Sequence, residues 1–159
     1  MSDIISAIAS DMMRPAPPLP AVNIGFISPR ESEEASVKET RSLIIAVDFD
    51  GVLNAREYPH VGATVAGAVA AMKELKKQGH HLIIWTCREG HDQTVAVNWL
   101  LEKGIPFDGI NQNARKNIEE HSNDSRKVFA DLYIDDRQVG GFPGWQSVLE
   151  YVDLVTSDE

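Results

Sequence analysis

Short apolar runs separated by polar and amphipathic segments follow one another from about residue 43 onward. The run 43–47 is continuous and rich in β-branched residues, which predicts a strand buried on both faces of a parallel sheet. The runs 82–85 and 132–134 have the same character. The segment 105–110 is a weaker strand candidate because Pro106 cannot donate a backbone hydrogen bond.

Between these strands, apolar positions recur at helical spacing. The pattern predicts helices at about 65–77, 92–103 and 145–155, and the polar stretch 111–125 favours a loop with one helical turn. Strands alternating with helices over short connections indicate a three-layer α/β/α, doubly wound, mostly parallel Rossmann-like domain, spanning residues 42–159.

The first 41 residues have a different composition. Five prolines and an acidic stretch at 31–34 predict a flexible tail with too little apolar surface to pack. Four apolar residues within it recur at helical spacing, so a short docking helix and a frayed terminus both remain open, and the pattern names no partner: Ile4, Ile5, Ile8 and Met12.

Bulk composition narrows the classes of function. A chain of 159 residues with 43% apolar residues has room for one core. A formal charge of −9 disfavours nucleic acid as a partner, and we expect a small phosphorylated substrate instead. A single cysteine, no membrane-length apolar run and no basic leader together predict a cytoplasmic protein without a membrane partner. The oligomeric state stays open, a homo-oligomer included.

Acidic side chains follow two of the buried runs. Asp48 and Asp50 follow the first, and Asp135 and Asp136 follow the last. In parallel sheets ligands bind beyond the carboxyl ends of the strands, and strand alternation predicts that Asp48 and Asp50 point to the same side. Carboxylates gathered there repel one another unless a cation lies between them, which predicts a Mg²⁺ site formed by these four residues.

A phosphoryl group at such a metal needs further donors for its other oxygens. Thr86 closes the second buried run, Cys87 follows it, and Lys127 precedes the last, so we assign these three as phosphate-binding positions. Taken singly, Thr86 is better explained as an ordinary β-branched strand residue and Lys127 as a lysine on a solvated helix face.

The ordered set Asp48-Phe49-Asp50-Gly51-Val52-Leu53, Ile83-Ile84-Trp85-Thr86, Lys127 and Ile134-Asp135-Asp136 resembles the four motifs of the haloacid dehalogenase superfamily. The segment 130–137 is similar to the fourth motif of its small phosphatases and 5′-nucleotidases. Arg126 and Lys116 are close enough in sequence to contest the role of Lys127 in the third motif.

The resemblance implies a Mg²⁺-dependent phosphatase acting on a phosphomonoester. Asp48 would become an aspartyl-phosphate, and Asp50 would protonate the leaving oxygen and then activate water. The backbone carbonyl of Asp50 would join Asp48 and Asp136 around the metal, while Asp135 would support the metal through water or orient Lys127.

The stretch 54–63 is too short for the cap domain that many members of this superfamily carry, so we expect an open site without a cap. Arg56 and Arg88 would lie at its mouth, where Arg88 either grips an anionic group of the substrate or pairs with Glu57 or Glu89. Three alternatives to a simple phosphatase remain: a phosphotransferase, a nucleic-acid or protein phosphatase with the same site, and a non-catalytic phosphate-binding module.

Overall fold

The computed structural model describes residues 41–157. The chain divides into two units, Met1–Val37 and Lys38–Glu159. The predicted tail and its candidate helix therefore lie outside the described residues, apart from Arg41. Within 41–157, none of the helices is both long and apolar enough to cross a membrane.

One sheet of four parallel strands forms the centre of the described unit, in the order β3-β2-β1-β4. The predicted α/β fold with a parallel, Rossmann-like sheet is confirmed. The strands are β1 Ile44–Val47, β2 His81–Ile84, β3 Gly109–Ile110 and β4 Leu132–Ile134, and the helices are α1 Ala68–Lys77, α2 Gly90–Lys103, α3 Arg115–His121 and α4 Trp145–Ser157.

The register of the central strand determines which residues meet at the edge of the sheet. Val47, the last residue of β1, pairs with Ile84 of β2 on one side and Ile134 of β4 on the other. The next residues of these three strands therefore leave the sheet side by side. Asp48 and Asp135 are two of them.

Most elements differ from the predicted bounds by three residues or fewer, and two segments differ more. Only Gly109–Ile110 of the segment 105–110 pairs with β2, because the chain joins the sheet only after Pro106, a residue with no N–H to donate. The polar stretch 111–125 contains the seven-residue helix α3, none of whose residues is buried. Its lack of an apolar face explains why the sequence pattern suggested a loop.

The core lies mainly on one face of the sheet and extends beneath the loops that follow β1. Phe49 is fully buried and meets Trp99 edge to face, with ring centroids 5.2 Å apart. Trp99 donates its indole N–H to the carbonyl of Gly62 (2.9 Å), and Trp145 donates to that of Val52 (3.0 Å). Two core tryptophans therefore fix the backbone on either side of the 54–60 loop.

His80, just before β2, is fully buried. Its Nδ1 accepts a hydrogen bond from the Leu43 N–H (3.2 Å), and its Nε2 has no partner among the described residues. Burial lowers the pKa of His80 below 6.5, against a smaller opposing effect of Asp153. The unfolded chain then binds more protons than the folded protein once the pH falls below about 6.5, so acidification destabilises the fold.

We expect the free energy of unfolding to fall less steeply between pH 7 and pH 5 in His80→Asn than in the wild type. The substitution removes the titrating ring and keeps an acceptor for Leu43. Urea unfolding at several pH values measures this slope. His121→Gln, at an exposed histidine of α3, is the control and should retain the wild-type slope. Equal slopes in wild type and His80→Asn would contradict the assignment.

Candidate active site

Three carboxylates converge beyond the carboxyl ends of β1 and β4. Asp48, Asp135 and Asp136 each offer an oxygen, and these oxygens lie within 4.8 Å of one another. The ladder holds this edge together, since the Asp48 N–H donates to the carbonyl of Ile134 (2.9 Å). Asp135 also accepts a hydrogen bond from the Arg137 N–H (2.8 Å), which fixes the turn after β4.

The environment of Asp48 disfavours its charged form. Burial is the largest influence and raises the pKa of Asp48 to about 7, and the nearby charges of Asp135, Asp136 and Asp50 act in the same direction. A backbone hydrogen bond from Phe49 opposes them in part. A cation among these oxygens would relieve both the burial and the repulsion.

The donor set suits a hard divalent cation. Mg²⁺ prefers carboxylate, carbonyl and water oxygens and usually retains several waters. Asp48 and Asp135 are half-buried, whereas the side chain of Asp136 is 37% exposed, so the cluster is open to solvent on one side. Asp48, Asp135 and Asp136 thus fit the metal predicted from the sequence.

Asp50 lines the same cleft as these three residues. Its carboxylate lies outside the group of three and is held by Arg88, whose Nε and Nη2 donate to the two oxygens at 2.8 Å each. This bidentate geometry is the strongest that a carboxylate and a guanidinium form. Asn54 Nδ2 adds a third hydrogen bond to Asp50 (3.1 Å).

Arg88 is almost completely buried, with 2% of its surface exposed. Besides Asp50, it donates to the carbonyls of Pro59 (2.9 Å) and His60 (3.2 Å). Its guanidinium lies between the rings of Phe49 and Tyr58, 5.0 and 5.1 Å from their centroids. Arg88 therefore joins the ends of β1 and β2 to the 54–60 loop. It lines the cleft as expected, but its carboxylate partner is Asp50, whereas the sequence suggested Glu57 or Glu89.

Asn54 organises the same loop from within. It is fully buried, and its Nδ2 donates to the carbonyls of Arg56 (2.9 Å) and His60 (2.8 Å). Its Oδ1 accepts from the N–H groups of Arg56 (3.3 Å) and Gly62 (3.1 Å). A buried side chain that makes this many backbone contacts stabilises one conformation of the loop.

Thr86 and Cys87 follow β2 at the same edge, and both line the cleft. The Thr86 hydroxyl accepts a hydrogen bond from the Arg88 N–H (3.2 Å). The Thr86 backbone is paired on both sides by the Asn111 side chain, through its N–H and its carbonyl (2.8 Å each). Asn111, which the sequence reasoning missed, thereby positions the Thr86 hydroxyl; its positive φ of 50° is the conformation that asparagine tolerates.

Lys127 is exposed, and its Nζ lies over the ring of Tyr133, 5.2 Å from the centroid. Its loop is fixed by buried Asn113, which accepts from Phe129 N–H (2.6 Å) and donates to Asp124 (2.8 Å). Lys127 is not among the residues that line the cleft, nor are Arg126 and Lys116, which are also exposed.

The carboxylates line an open cleft of about 870 Å³. Arg56, at the predicted mouth, lines it together with Arg137, whose side chain is 91% exposed. A smaller hollow of about 290 Å³ beside β4 contains no charged side chain. The cleft is lined by Asp48, Asp50, Gly51, Ala55, Arg56, Glu57, Tyr58, Trp85, Thr86, Cys87, Arg88, Asp135, Asp136 and Arg137.

The chain is similar to a solved structure of a conserved protein from Bacteroides thetaiotaomicron. The two sequences are 37% identical, the TM-score is 0.63, and the match covers 75% of this chain and 93% of that chain. No family model and no curated protein matches the chain. The likeness supports the α/β fold over nearly the whole length of that chain.

Proposed function

We propose that this chain, which belongs to the same family as the conserved Bacteroides thetaiotaomicron protein, is a magnesium-dependent phosphatase of the haloacid dehalogenase type. It would hydrolyse a phosphomonoester through an aspartyl-phosphate on Asp48. The observation that carries the proposal is the meeting of Asp48, Asp135 and Asp136 at adjacent strand ends, beside a second aspartate fixed by Arg88.

Asp48 is the group best placed to attack phosphorus. It lines the cleft just beyond the end of β1, and no arginine or lysine among residues 41–157 forms an ion pair with its carboxylate. In the first step one Asp48 oxygen bonds to phosphorus as the bond from phosphorus to the ester oxygen breaks. In the second, water attacks phosphorus and the bond to Asp48 breaks, which releases phosphate and restores the carboxylate.

Asp50 would move the protons. It would give a proton to the departing ester oxygen, and in the second step it would accept one from the attacking water. The three hydrogen bonds from Arg88 and Asn54 orient its carboxyl group and favour the carboxylate, which is the form required when water attacks. They also fix its position relative to Asp48, two residues earlier. The first step additionally requires that Asp50 take up a proton from solvent before the ester bond breaks, and the transfer of that proton leaves the carboxylate for the second step.

Asp48, Asp135 and Asp136 would hold Mg²⁺, with the carbonyl of Asp50 as the further ligand that the family resemblance implies. When bound, the ion supplies charge stabilisation for the phosphoryl oxygens. Thr86 and Cys87, which follow β2 and line the cleft, would meet other phosphoryl oxygens through the Thr86 hydroxyl and the Cys87 backbone N–H.

Gly51 lets Asp136 occupy its position in this cluster. Its φ is +83°, and a Cβ there would lie 2.6 Å from Asp136 Oδ2. We expect Gly51→Ala to displace that carboxylate and weaken Mg²⁺ binding at least about tenfold, measured by titration calorimetry.

Gly79→Ala is the matched control for that prediction. Gly79 has nearly the same φ, +89°, and a Cβ there would meet nothing within 4 Å. Gly79→Ala should be destabilised by roughly 1 kcal/mol, as Gly51→Ala should be, because alanine disfavours a positive φ. Its Mg²⁺ affinity should remain that of the wild type. If both variants bind Mg²⁺ equally well, the contact between Gly51 and Asp136 plays no part in metal binding.

Phosphate release from a panel of phosphorylated metabolites, nucleotides and an aryl phosphate tests the proposed function. We expect turnover that requires Mg²⁺ and stops when a chelator is added. A folded protein that binds Mg²⁺ but releases no phosphate from any of these esters would overturn the proposal.

A further inference from the structure

Tyr58 is a large aromatic side chain exposed in the wall of the cleft. Its side chain is 61% exposed, although it belongs to a loop whose backbone is fixed by Asn54 and Arg88. It lines the same cleft as Asp48 and Asp50. An exposed aromatic ring in the wall of this cleft is available to contact a bound ligand.

Two contacts fix the orientation of the ring. The hydroxyl donates a hydrogen bond to Asp92 Oδ2 (2.6 Å), and the Arg88 guanidinium carbon lies 5.1 Å from the ring centroid. Because Arg88 is itself held between Phe49 and the loop carbonyls, the support beneath the ring is rigid. A ligand stacking on this ring would lose little side-chain entropy at Tyr58.

The ring also lies close to the reacting centre. Arg88 contacts Tyr58 with the same guanidinium that donates two hydrogen bonds to Asp50. One guanidinium group thus separates the ring from the carboxylate that would meet the ester oxygen. The atoms attached to that oxygen would therefore approach Tyr58.

We propose that Tyr58 is the specificity-determining residue of this site and that it selects phosphomonoesters whose leaving group carries an aromatic ring a few bonds from the ester oxygen. The inference rests on the proposed function and narrows its substrate class. Stacking between two aromatic rings contributes enough to change selectivity by roughly tenfold. A competing role for Tyr58 is to shield Arg88 from water, which would affect all substrates equally.

A matched pair of esters distinguishes the two roles. In 2-phenylethyl phosphate and 2-cyclohexylethyl phosphate the ester oxygen is bonded to the same alkyl chain, so the chemical step is equally difficult, and only the first carries an aromatic ring. We expect the wild type to prefer the phenyl ester by roughly tenfold in kcat/KM. The ratio of kcat/KM for the phenyl ester to that for the cyclohexyl ester should fall toward one in Tyr58→Leu and stay at the wild-type value in Tyr58→Phe.

Tyr151→Ala is the control, since Tyr151 is 52% exposed on α4 and lines the hollow beside β4 instead of the cleft; it should keep the wild-type ratio. Equal kcat/KM for the two esters in the wild type, or an unchanged ratio in Tyr58→Leu, would overturn the inference and leave the phosphatase proposal standing. Hydrolysis of neither ester by the wild type, together with no release from the wider panel, would overturn both.

Discussion

Asp48→Asn is expected to reduce phosphate release by roughly a thousandfold or more on every substrate that the wild type hydrolyses. The amide cannot form the covalent intermediate, and loss of a nucleophile has effects of this size or larger in enzymes that use one. Steady-state phosphate release in the presence of Mg²⁺ is the measurement. Glu119→Gln, which removes an exposed carboxylate from α3, is the control and should keep wild-type turnover.

The same variant should be more stable than the wild type when metal is absent. Burial raises the pKa of Asp48 from 3.8 to about 7, so ionising this carboxylate opposes folding at pH 8, and asparagine removes that cost. With excess Mg²⁺ the wild type should become more stable than Asp48→Asn, because the ion binds the folded wild type more tightly. Thermal unfolding with chelator and with Mg²⁺ measures both. An Asp48→Asn variant that retains activity would contradict the assigned nucleophile.

Arg88→Ala should have the second largest effect. The substitution leaves Asp50 without its bidentate partner and removes two hydrogen bonds to the 54–60 loop. We expect kcat to fall by roughly 10² to 10⁴, the range attributed to a positioned proton donor or acceptor. Loss of one partner of a buried ion pair should also lower the free energy of unfolding by about 3 kcal/mol.

Arg88→Lys distinguishes charge from geometry. Lysine keeps a positive charge but cannot donate in parallel to both Asp50 oxygens, so its turnover should lie between those of alanine and the wild type. Arg56→Ala is the stability control, because Arg56 is exposed. Wild-type turnover and stability in Arg88→Ala would show that Asp50 does not depend on this contact.

The sequence predicted best those features that depend on the order of the strands along the chain. Buried apolar runs predicted three of the strands, and parallel pairing then required Asp48 and Asp135 to leave the sheet side by side. Helix α3 was harder to recognise because it has no apolar face to produce a periodic pattern. Pro106, which has no N–H to donate, explains why the third strand does not begin where its apolar segment begins.

The positions of individual side chains were less accessible from the sequence. Alternation predicted that Asp48 and Asp50 face one site, and both line the cleft, but only Asp48 belongs to the group of three carboxylates. Strand β1 ends at Val47, and the chain turns at Gly51 with a positive φ. Beyond the end of a strand the two-residue periodicity no longer determines direction. Arg88 lies 38 residues from Asp50, and no local pattern indicates that a cation at that distance binds it.

Asn54 and Asn111 illustrate a related gap. Both act through hydrogen bonds from a side chain to the backbone, which no periodicity reveals: Asn54 bonds its own loop, and Asn111 bonds a segment 25 residues away. An asparagine beside a strand end is more often part of a turn, so its identity alone gave no signal. Lys127 was assigned to phosphate binding from its place before β4. Its ammonium lies over the ring of Tyr133, and its role in phosphate binding stays a prediction.

Chemical trapping of the covalent intermediate tests the central claim most directly. The protein would be mixed with Mg²⁺ and a turned-over ester, quenched in acid and treated with borohydride, which reduces an aspartyl-phosphate to homoserine. Peptide mass spectrometry then identifies the modified position. The account predicts homoserine at position 48 in the wild type and none in Asp48→Asn. Rapid phosphate release with no homoserine at position 48, or with homoserine at another aspartate, would contradict it.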